Sequence, residues 1–465
     1  MMRITFLLVI SSITQILCGQ ILYIDSINYI GNKKTKNYII RRELDFKVND
    51  STDMAVLTQG FSRNRSRILN TGLFKDVRIN IKRWNTETNH ITIDIVCDEG
   101  WYIYPVPIFE LADRNFNVWW DEFNGSLKRT NYGIKFIHTN LSGQADALKI
   151  TLQGGYSQKA DLEYAWPYWG KDRSWRFTST VFYSRNREAY YNTINNKLVF
   201  HKALAEDEYS LNRFRINTSL EHRTTLQLFQ SIRIEYNANQ TIPEISEELN
   251  PDFFLNKKIK QNYLSLRYEF KYDDRDLKYY PSNGRLAEIQ ITKEGIGKPG
   301  DVNTLTTSLQ LQQFIPWGKK HNAGIMVKAK GSIIRSQPPY YNSKAIGFGD
   351  NYLKGYEYYV VDGLDYFFLR FRERFIFLDK NIQFLPKTIL GIKSKPLKMG
   401  VSVHGSTGYV NNVFYSKTNT FGNRWLWSSG ISMEVLMSNT SMIQLDWSIN
   451  HLKQSGVYLH FKEDF

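Results

Sequence analysis

The chain has 465 residues, of which 15% are aromatic and 42% are hydrophobic, and its formal net charge is +15. The mean hydropathy of −0.42 excludes a bundle of membrane helices. After residue 19, no segment approaches the ~18 consecutive apolar residues of a spanning helix. The positive charge alone is compatible with binding to nucleic acid or to anionic lipid head groups.

The N-terminus, residues 1–19, is typical of a secretory signal peptide. Residues 1–3 form a short basic region, and residues 6–17 form an apolar stretch that is followed by small residues suited to cleavage. Cys18 raises the alternative of a lipoprotein. Leu17 argues against it, because a lipoprotein signal needs a small residue at that position. Secretion makes nucleic acid an unsuitable partner for the positive charge.

Residues 20–99 have the pattern of a separate, small α+β domain. The predicted elements are a strand at 24–29, a helix from a Thr35 cap to Leu44, a helix that follows 51–53 and ends at Gly72, and strands at 77–81 and 91–95. Cys97 continues the alternation of the last strand, so it is expected to be a small buried residue. A single cysteine left after signal cleavage can form no internal disulfide.

Residues 100–465 consist of many short runs in which apolar and polar residues alternate. Residues 264–271 are one example, and residues 443–450 and 457–462 repeat the pattern. A period of two indicates strands with one apolar and one polar face. The polar faces carry Arg, Glu, Lys and Asp, which suits a transmembrane barrel that turns its apolar face to lipid and keeps charges in a wet lumen.

The length of this segment predicts the number of strands. Sixteen strands of a transmembrane barrel, with their turns and loops, need about 23 residues each, and about 365 residues are available. Without spanning helices, a closed barrel is the structure that can cross a membrane. The sequence therefore predicts a mainly β protein, a 16-stranded antiparallel transmembrane β-barrel preceded by the small α+β domain.

The first and last predicted strands of the barrel segment would have to meet to close the barrel. Pro105 and Pro107 lie in the first predicted strand, and proline inside sheets is confined to edges and bulges. The lipid face of the last predicted strand consists of Val457, Leu459 and Phe461. A seam between these strands would have few hydrogen bonds and could open sideways. In the alternative, residues 104–109 are a linker and the barrel begins near Phe116 or Leu127.

Three motifs in the N-terminal segment carry a resemblance to a known family. They are Gly-Asn-Lys-Lys-Thr at 31–35, Arg-Arg-Glu-Leu at 41–44 and Asn-Thr-Gly-Leu-Phe-Lys-Asp-Val at 70–77. With the order of the predicted elements, they closely resemble a POTRA domain. The resemblance implies a periplasmic module that receives extended client segments by strand addition at an exposed sheet edge. An ordinary small α+β domain is the alternative.

A second resemblance rests on a turn in the middle of the barrel segment. Asp273, Asp274, Arg275 and Asp276 are followed by Pro281, Ser282, Asn283 and Gly284 and then by a new alternating strand. Proline presets one turn dihedral, and Asn-Gly accepts the left-handed one. This turn resembles the strand-turn-strand signature of the BamA/TamA superfamily of outer-membrane assembly barrels, the surface-antigen family. With eight strands on each side, the turn is expected on the periplasmic side.

The long loop at about 338–363 contains Leu353, Lys354, Gly355, Tyr356 and Glu357. In the family resembled, this loop folds into the lumen, and an Arg at its tip is held by an acidic residue on a nearby strand. Lys354 occupies the Arg position here, and lysine cannot make the planar bidentate contact. The nearest candidate partners are Asp365 and Glu373, on the strand that follows. Either of them could instead be a solvated strand charge.

The resemblance implies a function. It is that of a factor that folds and inserts β-barrel proteins in the outer membrane of a Gram-negative-type bacterium. The expected partners are unfolded outer-membrane protein clients, accessory outer-membrane lipoproteins, and anionic lipid at the basic loops. An aromatic C-terminal signal is expected at Gly456, Phe461 and Phe465. We expect no enzyme activity, cofactor or metal. The alternatives are a two-partner-secretion-like polypeptide exporter, an outer-membrane hydrolase and a diffusion porin.

Overall fold

The computed structural model describes residues 20–112, 116–202, 209–297, 300–382, 395–438 and 441–461. The expected signal peptide at 1–19 and the aromatic Phe465 lie outside the described residues. Phe461 is described by its backbone. Within the described ranges, no helix has both the length and the apolar character needed to cross a membrane.

The N-terminal domain contains four strands and two helices. They are β1 (Ile21–Ile30), α1 (Asn37–Arg41), β2 (Ser51–Asp53), α2 (Met54–Asn70), β3 (Phe74–Asn85) and β4 (His90–Glu99). The strands form one sheet in the order β2-β1-β4-β3, in which β1 and β4 are parallel. The predicted element order is found, with the short β2 added to it. β3 lies at one edge of this sheet.

Local chemistry sets the ends of the two helices. The Asp53 carboxylate accepts a hydrogen bond from the backbone N–H of Ala55 at 2.7 Å and caps α2. Gly72, with φ of 74°, follows the end of α2. The predicted cap at Thr35 is wrong, because α1 begins at Asn37. The buried Thr35 hydroxyl instead lies 2.8 Å from the Tyr102 hydroxyl, at the junction with the barrel.

The core of this domain lies between the helices and the inner face of the sheet, and Cys97 belongs to it. Burial raises the pKa of the Cys97 thiol to about 12, and the nearby carboxylates of Glu99 and Asp76 act in the same direction. The thiol is therefore protonated at neutral pH. This agrees with its expected role as a small apolar residue.

The rest of the chain is built from strands, two short helical turns that precede β6, a π-helix at Glu244–Leu249 and a 3-10 turn at Tyr340–Asn342. The strands are β5 (Ile103–Leu111), β6 (Thr130–His138), β7 (Ala147–Gly155), β8 (Ser157–Ala165), β9 (Trp175–Asn186), β10 (Glu188–Ile194), β11 (Lys197–Lys202), β12 (Leu211–Arg223), β13 (Leu228–Thr241), β14 (Lys260–Asp273), β15 (Gly284–Glu294), β16 (Thr304–Pro316), β17 (His321–Ser332), β18 (Lys344–Ile346), β19 (Val361–Asp362), β20 (Asp365–Ile382), β21 (Lys395–Asn411), β22 (Trp425–Ser438), β23 (Ser441–Asn450) and β24 (Ser455–Phe461). The helical turns are α3 (Phe116–Asp121) and a 3-10 turn at Leu127–Arg129.

Sixteen of these strands form a single antiparallel sheet that runs from β5 to β24. The hairpins β10–β11 and β18–β19 stand outside it. Eight strands precede the turn between β14 and β15, and eight follow it. The prediction of sixteen antiparallel strands is confirmed, and so is the place of this turn in the middle of the sheet.

The sheet has the inside-out pattern of a membrane barrel. On β22, Trp427 and Ile431 point outward and are 54% and 56% exposed, whereas Ser432 and Glu434 point inward and are buried. β21 and β23 repeat this alternation. A soluble barrel would place the apolar residues inside. The fold is therefore a transmembrane β-barrel whose lumen is lined by polar and charged side chains.

The N-terminal domain sits at one end of the barrel, called here the near end. The two terminal guanidinium nitrogens of Arg223, at the end of β12, donate to the carboxylate oxygens of Glu43 at 2.5 and 2.7 Å. Asn140, in the turn after β6, donates to the Thr35 hydroxyl at 3.0 Å. A cavity of about 1240 Å³, with many charged and polar residues in its lining, lies between the domain and the barrel mouth.

The opposite, far end is covered by packed loops. The β10–β11 hairpin, the short π-helix at Glu244–Leu249 and the loop from 333 to 364 meet there. Their contact is apolar and includes the fully buried Phe253, Phe254 and Tyr340. We call residues 333–364 the inward loop, because their middle part descends from this cover into the lumen.

Candidate functional site: the inward loop and the barrel seam

The tip of the inward loop lies against the inner faces of β22 and β23. Leu353, Lys354 and Tyr356 are all buried. The Tyr356 hydroxyl donates to the backbone carbonyl of Trp427 at 2.9 Å, and the Asn450 amide donates to the carbonyl of Gly355 at 2.9 Å. The predicted tip thus contacts the barrel wall through both its backbone and its side chains.

Gly355 is required for this close approach. Its φ is 81°, a left-handed conformation that other residues rarely adopt. A Cβ at this position would lie 3.2 Å from the Cβ of Ser428 and 3.3 Å from the Cβ of Ser448. The small serines on the facing strands provide the matching space. The local sequence therefore permits the tip to lie flat on the wall.

Lys354 forms an ion pair with Asp446 on β23. The Lys354 Nζ lies 3.3 Å from Asp446 Oδ2, and the exposed fractions of the two side chains are 5% and 0%. Gln444 also donates to Asp446, at 2.8 Å. Buried charges need such partners, because their loss of hydration is otherwise uncompensated. A cation at the tip is thus held by an acidic strand residue.

The expected partners Asp365 and Glu373 are wrong. Asp365 accepts hydrogen bonds from Arg335 and Asn411, each at 2.7 Å, and Glu373 accepts from the indole N–H of Trp317 at 2.9 Å. The physical reason is the alternation of β20, whose odd-numbered residues face away from the lumen. The even-numbered positions 370, 372 and 374 of β20, which enter the lumen, carry arginine.

These lumenal residues are Arg370, Arg372 and Arg374, and all three are buried. Arg374 Nε lies 2.5 Å from Glu434 Oε2, and the two side chains are fully buried. Ser402 donates to the other oxygen of Glu434 at 2.6 Å. Arg370 donates to the Tyr352 carbonyl and stacks over the Tyr352 ring at 4.3 Å. The strand after the loop thus contacts the loop just before its tip.

The turn between β14 and β15 reaches the same network from the near end. Arg275 binds both carboxylate oxygens of Asp273, each at 2.9 Å. The Pro281 carbonyl accepts from Arg374 at 3.2 Å, and the Arg374 guanidinium lies 3.6 Å from the centre of the Tyr280 ring. The predicted turn motif and the inward loop therefore meet through charges on β20.

Asp276 organises the turn itself. Its Oδ1 accepts from the backbone N–H groups of Leu277, Ser282 and Asn283 at 2.9, 2.9 and 3.2 Å. Burial raises the pKa of this carboxyl, and these N–H groups offset part of the rise. Gly284 has φ of 106°, which suits the end of such a turn.

The seam is defined here as the pair of end strands, β5 and β24. β5 pairs with β6 from Ile103 to Leu111, so the alternative in which this segment is a linker is wrong. Phe116 begins α3, and Leu127 begins the 3-10 turn. In the described part of the chain, no ladder joins β5 to β24. The two end strands of the sheet are therefore not paired with each other in the described residues.

The prolines of β5 lie on its free edge. Thr139 N–H donates to the Tyr102 carbonyl, and Ala112 N–H donates to the Arg129 carbonyl. These two bonds show that even-numbered residues of β5 direct their backbone groups to β6. Pro105 and Pro107 thus leave the β5–β6 ladder intact. What they remove is two donors from the edge that would pair with β24.

One side chain links the seam to the inward loop. His460, on β24, has its Nε2 3.5 Å from Asp446 Oδ2 and 3.5 Å from Glu357 Oε1. Its ring stacks on Tyr352 with centroids 5.1 Å apart. The last strand therefore contacts the carboxylate that holds Lys354. Movement of β24 would disturb the contacts of the tip.

The sequence alone did not predict the roles of Asp446, Glu434, His460 and the arginines of β20. A signal was present, because each is a charged or titratable residue on the polar face of an alternating strand. Alternation identifies such residues as lumenal, but it cannot show which of them face one another across the lumen.

The comparisons with known proteins bear on both parts of the chain. Residues 22–100 match the POTRA family, described as a surface antigen variable number repeat, and residues 140–363 match the Omp85 superfamily domain. A comparison with curated proteins found no match.

Three solved structures have a similar fold. BamA from Haemophilus ducreyi lacking POTRA domains 1–3 is 14% identical, with 95% of this chain and 83% of that chain covered and a TM-score of 0.51. CdiB from Escherichia coli is 10% identical, with 95% and 75% covered and a TM-score of 0.54. CdiB from Acinetobacter baumannii is 12% identical, with 95% and 73% covered and a TM-score of 0.50. At these identities the likeness concerns the fold alone.

Proposed function

We propose that this chain, an Omp85-superfamily protein with one POTRA domain, folds and inserts β-barrel proteins in the outer membrane of a Gram-negative-type bacterium. The POTRA domain would lie in the periplasm, at the near end of the barrel. The observation that carries the proposal is the seam, whose two strands share no ladder in the described residues. This role involves no chemical catalysis.

The seam is suited to opening because few backbone hydrogen bonds between β5 and β24 would be broken. A net hydrogen bond contributes about 0.5–1.5 kcal/mol, and Pro105 and Pro107 remove two donors where the strands would meet. Every other neighbouring pair in the sixteen-stranded sheet has a ladder. If the barrel opens sideways, it would therefore open between β5 and β24, where an incoming strand finds unpaired backbone groups.

The packed loops at the far end favour a route for the client through the seam over a route through the lumen. Lys344 of the inward loop lies 4.9 Å from the ring centre of Tyr190 and 4.7 Å from that of Tyr341. Transport of a polypeptide through the lumen would first have to break these contacts, the apolar cluster beneath them, and the buried Lys354–Asp446 pair. Lateral opening leaves the cover in place.

The POTRA domain would deliver the client. β3 forms an edge of its sheet over twelve residues, so an extended segment could add to it by backbone hydrogen bonds. The cavity between the domain and the barrel mouth adjoins this route. Unfolded outer-membrane proteins are the proposed clients. Accessory lipoproteins, and anionic lipid at the basic loops, are further proposed partners.

A polypeptide exporter of the two-partner-secretion type is the second candidate. The specific observation in its favour is the inward loop, which occupies the lumen and is fixed by contacts that movement could break. CdiB also shares the fold. In this alternative the loop leaves the lumen, and the seam stays shut.

A disulfide across the seam separates the two candidates. In a Cys97→Ala background, one cysteine is placed among residues 103–108 of β5 and one among residues 457–461 of β24. Client assembly in vesicles is then followed by the heat-modifiable mobility of the client. We expect assembly to stop in the oxidised protein and to return with reductant.

The matched control is a disulfide between Leu445→Cys and Leu459→Cys, which stand opposite each other in the existing β23–β24 ladder. This disulfide should leave assembly unchanged. Normal assembly by the seam-locked protein would overturn the lateral mechanism. Secretion that persisted with the seam locked would favour the exporter.

A further inference from the structure

The link between β5 and β6 carries a short helix, α3, one side of which is polar and faces the protein. β5 starts beside the N-terminal domain, so the link that follows it lies at the far end of the barrel. Asn117 of α3 donates to the Val457 carbonyl of β24 at 2.5 Å, and Asp121 accepts from the Tyr358 hydroxyl of the inward loop. Residues four apart share a side of a helix, so these two contacts define its polar side.

A second side of α3 is aromatic and faces outward. Phe116 and Trp120 are also four residues apart, and their rings stack with centroids 5.9 Å apart at an interplanar angle of 17°. They are 41% and 59% exposed, whereas the neighbouring Trp119 is buried and its indole N–H donates to the Ser126 carbonyl at 3.0 Å. A surface helix of a soluble protein turns its apolar side inward. α3 presents its aromatic pair outward instead.

This aromatic side continues a surface that lipid covers. Leu127, in the 3-10 turn that ends the same link, is 70% exposed. Phe109 of β5 and Tyr132 of β6 stand opposite each other in the ladder and are exposed on the lipid face of the barrel. Exposed apolar patches of this kind mark contact with a membrane or with another protein. Because the patch adjoins the lipid face, lipid is the expected occupant.

We propose that α3 lies in the lipid interface at the far end of the barrel, and that Phe116 and Trp120 anchor it there. The occupant of the aromatic side is the acyl-chain and glycerol region of a membrane lipid, the level at which aromatic girdles of barrels lie. Glu122, directly after α3, pairs with Lys197 of the β10–β11 hairpin at 2.5 Å. One helix would therefore join the lipid to β24 and to the loops that cover the far end.

Fluorescence quenching tests where the aromatic side lies. In a Cys97→Ala background, Leu127→Cys carries an environment-sensitive fluorophore, and the protein is placed in vesicles of phosphatidylcholine and phosphatidylglycerol. The quenchers are a lipid with a nitroxide near its glycerol and iodide in the water. The control is Lys417→Cys, an exposed position in the loop between β21 and β22 at the same end. We expect several-fold stronger lipid quenching at position 127 than at 417, and the reverse order with iodide.

A pair of substitutions tests whether the aromatic side carries the contact. Phe116→Ser with Trp120→Ser should lower lipid quenching of the probe at 127 several-fold and raise its quenching by iodide. The matched control is Trp425→Ser, which removes a tryptophan of equal exposure, 59%, at the far end of β22. It should leave the probe at 127 unchanged. Heat-modifiable mobility shows that each variant is a folded barrel.

Three results would overturn the inference. The first is iodide quenching at position 127 as strong as at 417, and the second is lipid quenching at 127 that survives the loss of both aromatic side chains. The third is protection from iodide that rises with protein concentration and comes without lipid quenching, which would place a second copy of the chain on this side. The insertase proposal would stand after any of them, because its test is the disulfide across the seam.

Discussion

Replacement of Lys354 by Ala would test whether the tip of the inward loop depends on its cation. The change removes the ammonium group that lies 3.3 Å from Asp446 Oδ2. Asp446 stays buried, and its remaining contacts include Gln444 at 2.8 Å, His460 at 3.5 Å and a side-chain hydrogen bond from Ser432. The carboxylate would therefore be left largely uncompensated in the wall of the lumen.

The size of the effect follows from the burial of the pair. Breaking a buried ion pair by removing one partner costs about 3–5 kcal/mol. Because Gln444 and His460 remain, the lower end, about 3 kcal/mol, is expected here. This corresponds to about a hundred-fold rise in the population with a released loop. Lys354→Arg keeps the charge and should retain or improve both loop protection and client assembly.

The assay is the rate at which thermolysin cleaves the inward loop in folded protein in vesicles, with client assembly measured in parallel. Lys354→Ala should be cleaved faster and assemble less client. The double variant Lys354→Ala with Asp446→Asn should recover much of the protection, because the carboxylate that lost its partner is then also removed. Equal protection and equal activity in the parent, Lys354→Ala and Lys354→Arg would refute the reasoning.

Three further predictions concern other parts of the structure. Arg223→Ala removes the two contacts to Glu43 and should loosen the POTRA domain, seen as faster hydrogen exchange in α1; unchanged exchange would show that other contacts hold the domain. Cys97 should resist alkylation at mildly alkaline pH in the folded protein and react in urea, because burial raises its pKa to about 12; reaction in both states would contradict its burial. Deletion of residues 456–465 removes nearly all of β24 and should leave the chain degraded in the periplasm; a heat-modifiable barrel in outer-membrane fractions would contradict the strand assignment.

Much of the site was visible in the sequence as separate pieces. The tip at Lys354, the turn at Asp273 and the prolines of β5 were identified from local patterns and from the resemblance. The predicted partners of Lys354, Asp365 and Glu373, were wrong. They were the acidic residues nearest in sequence, on the strand that follows the loop. On that strand, alternation turns Glu373 outward, and the acidic residue that faces the tip lies on β23.

The sequence by itself determined the features that repeat over short distances. Alternation with a period of two specified the strands, their lipid and lumen faces and the number that fits the chain, because each strand's faces depend only on its own residues. Pro105 and Pro107, which lack a backbone N–H, specified that the outer edge of β5 has few donors. Only the tertiary structure decided which charges meet in the lumen and what covers the seam. Asn117 and Val457 are 340 residues apart, and such contacts depend on how the whole sheet curls and on the register of every strand between them.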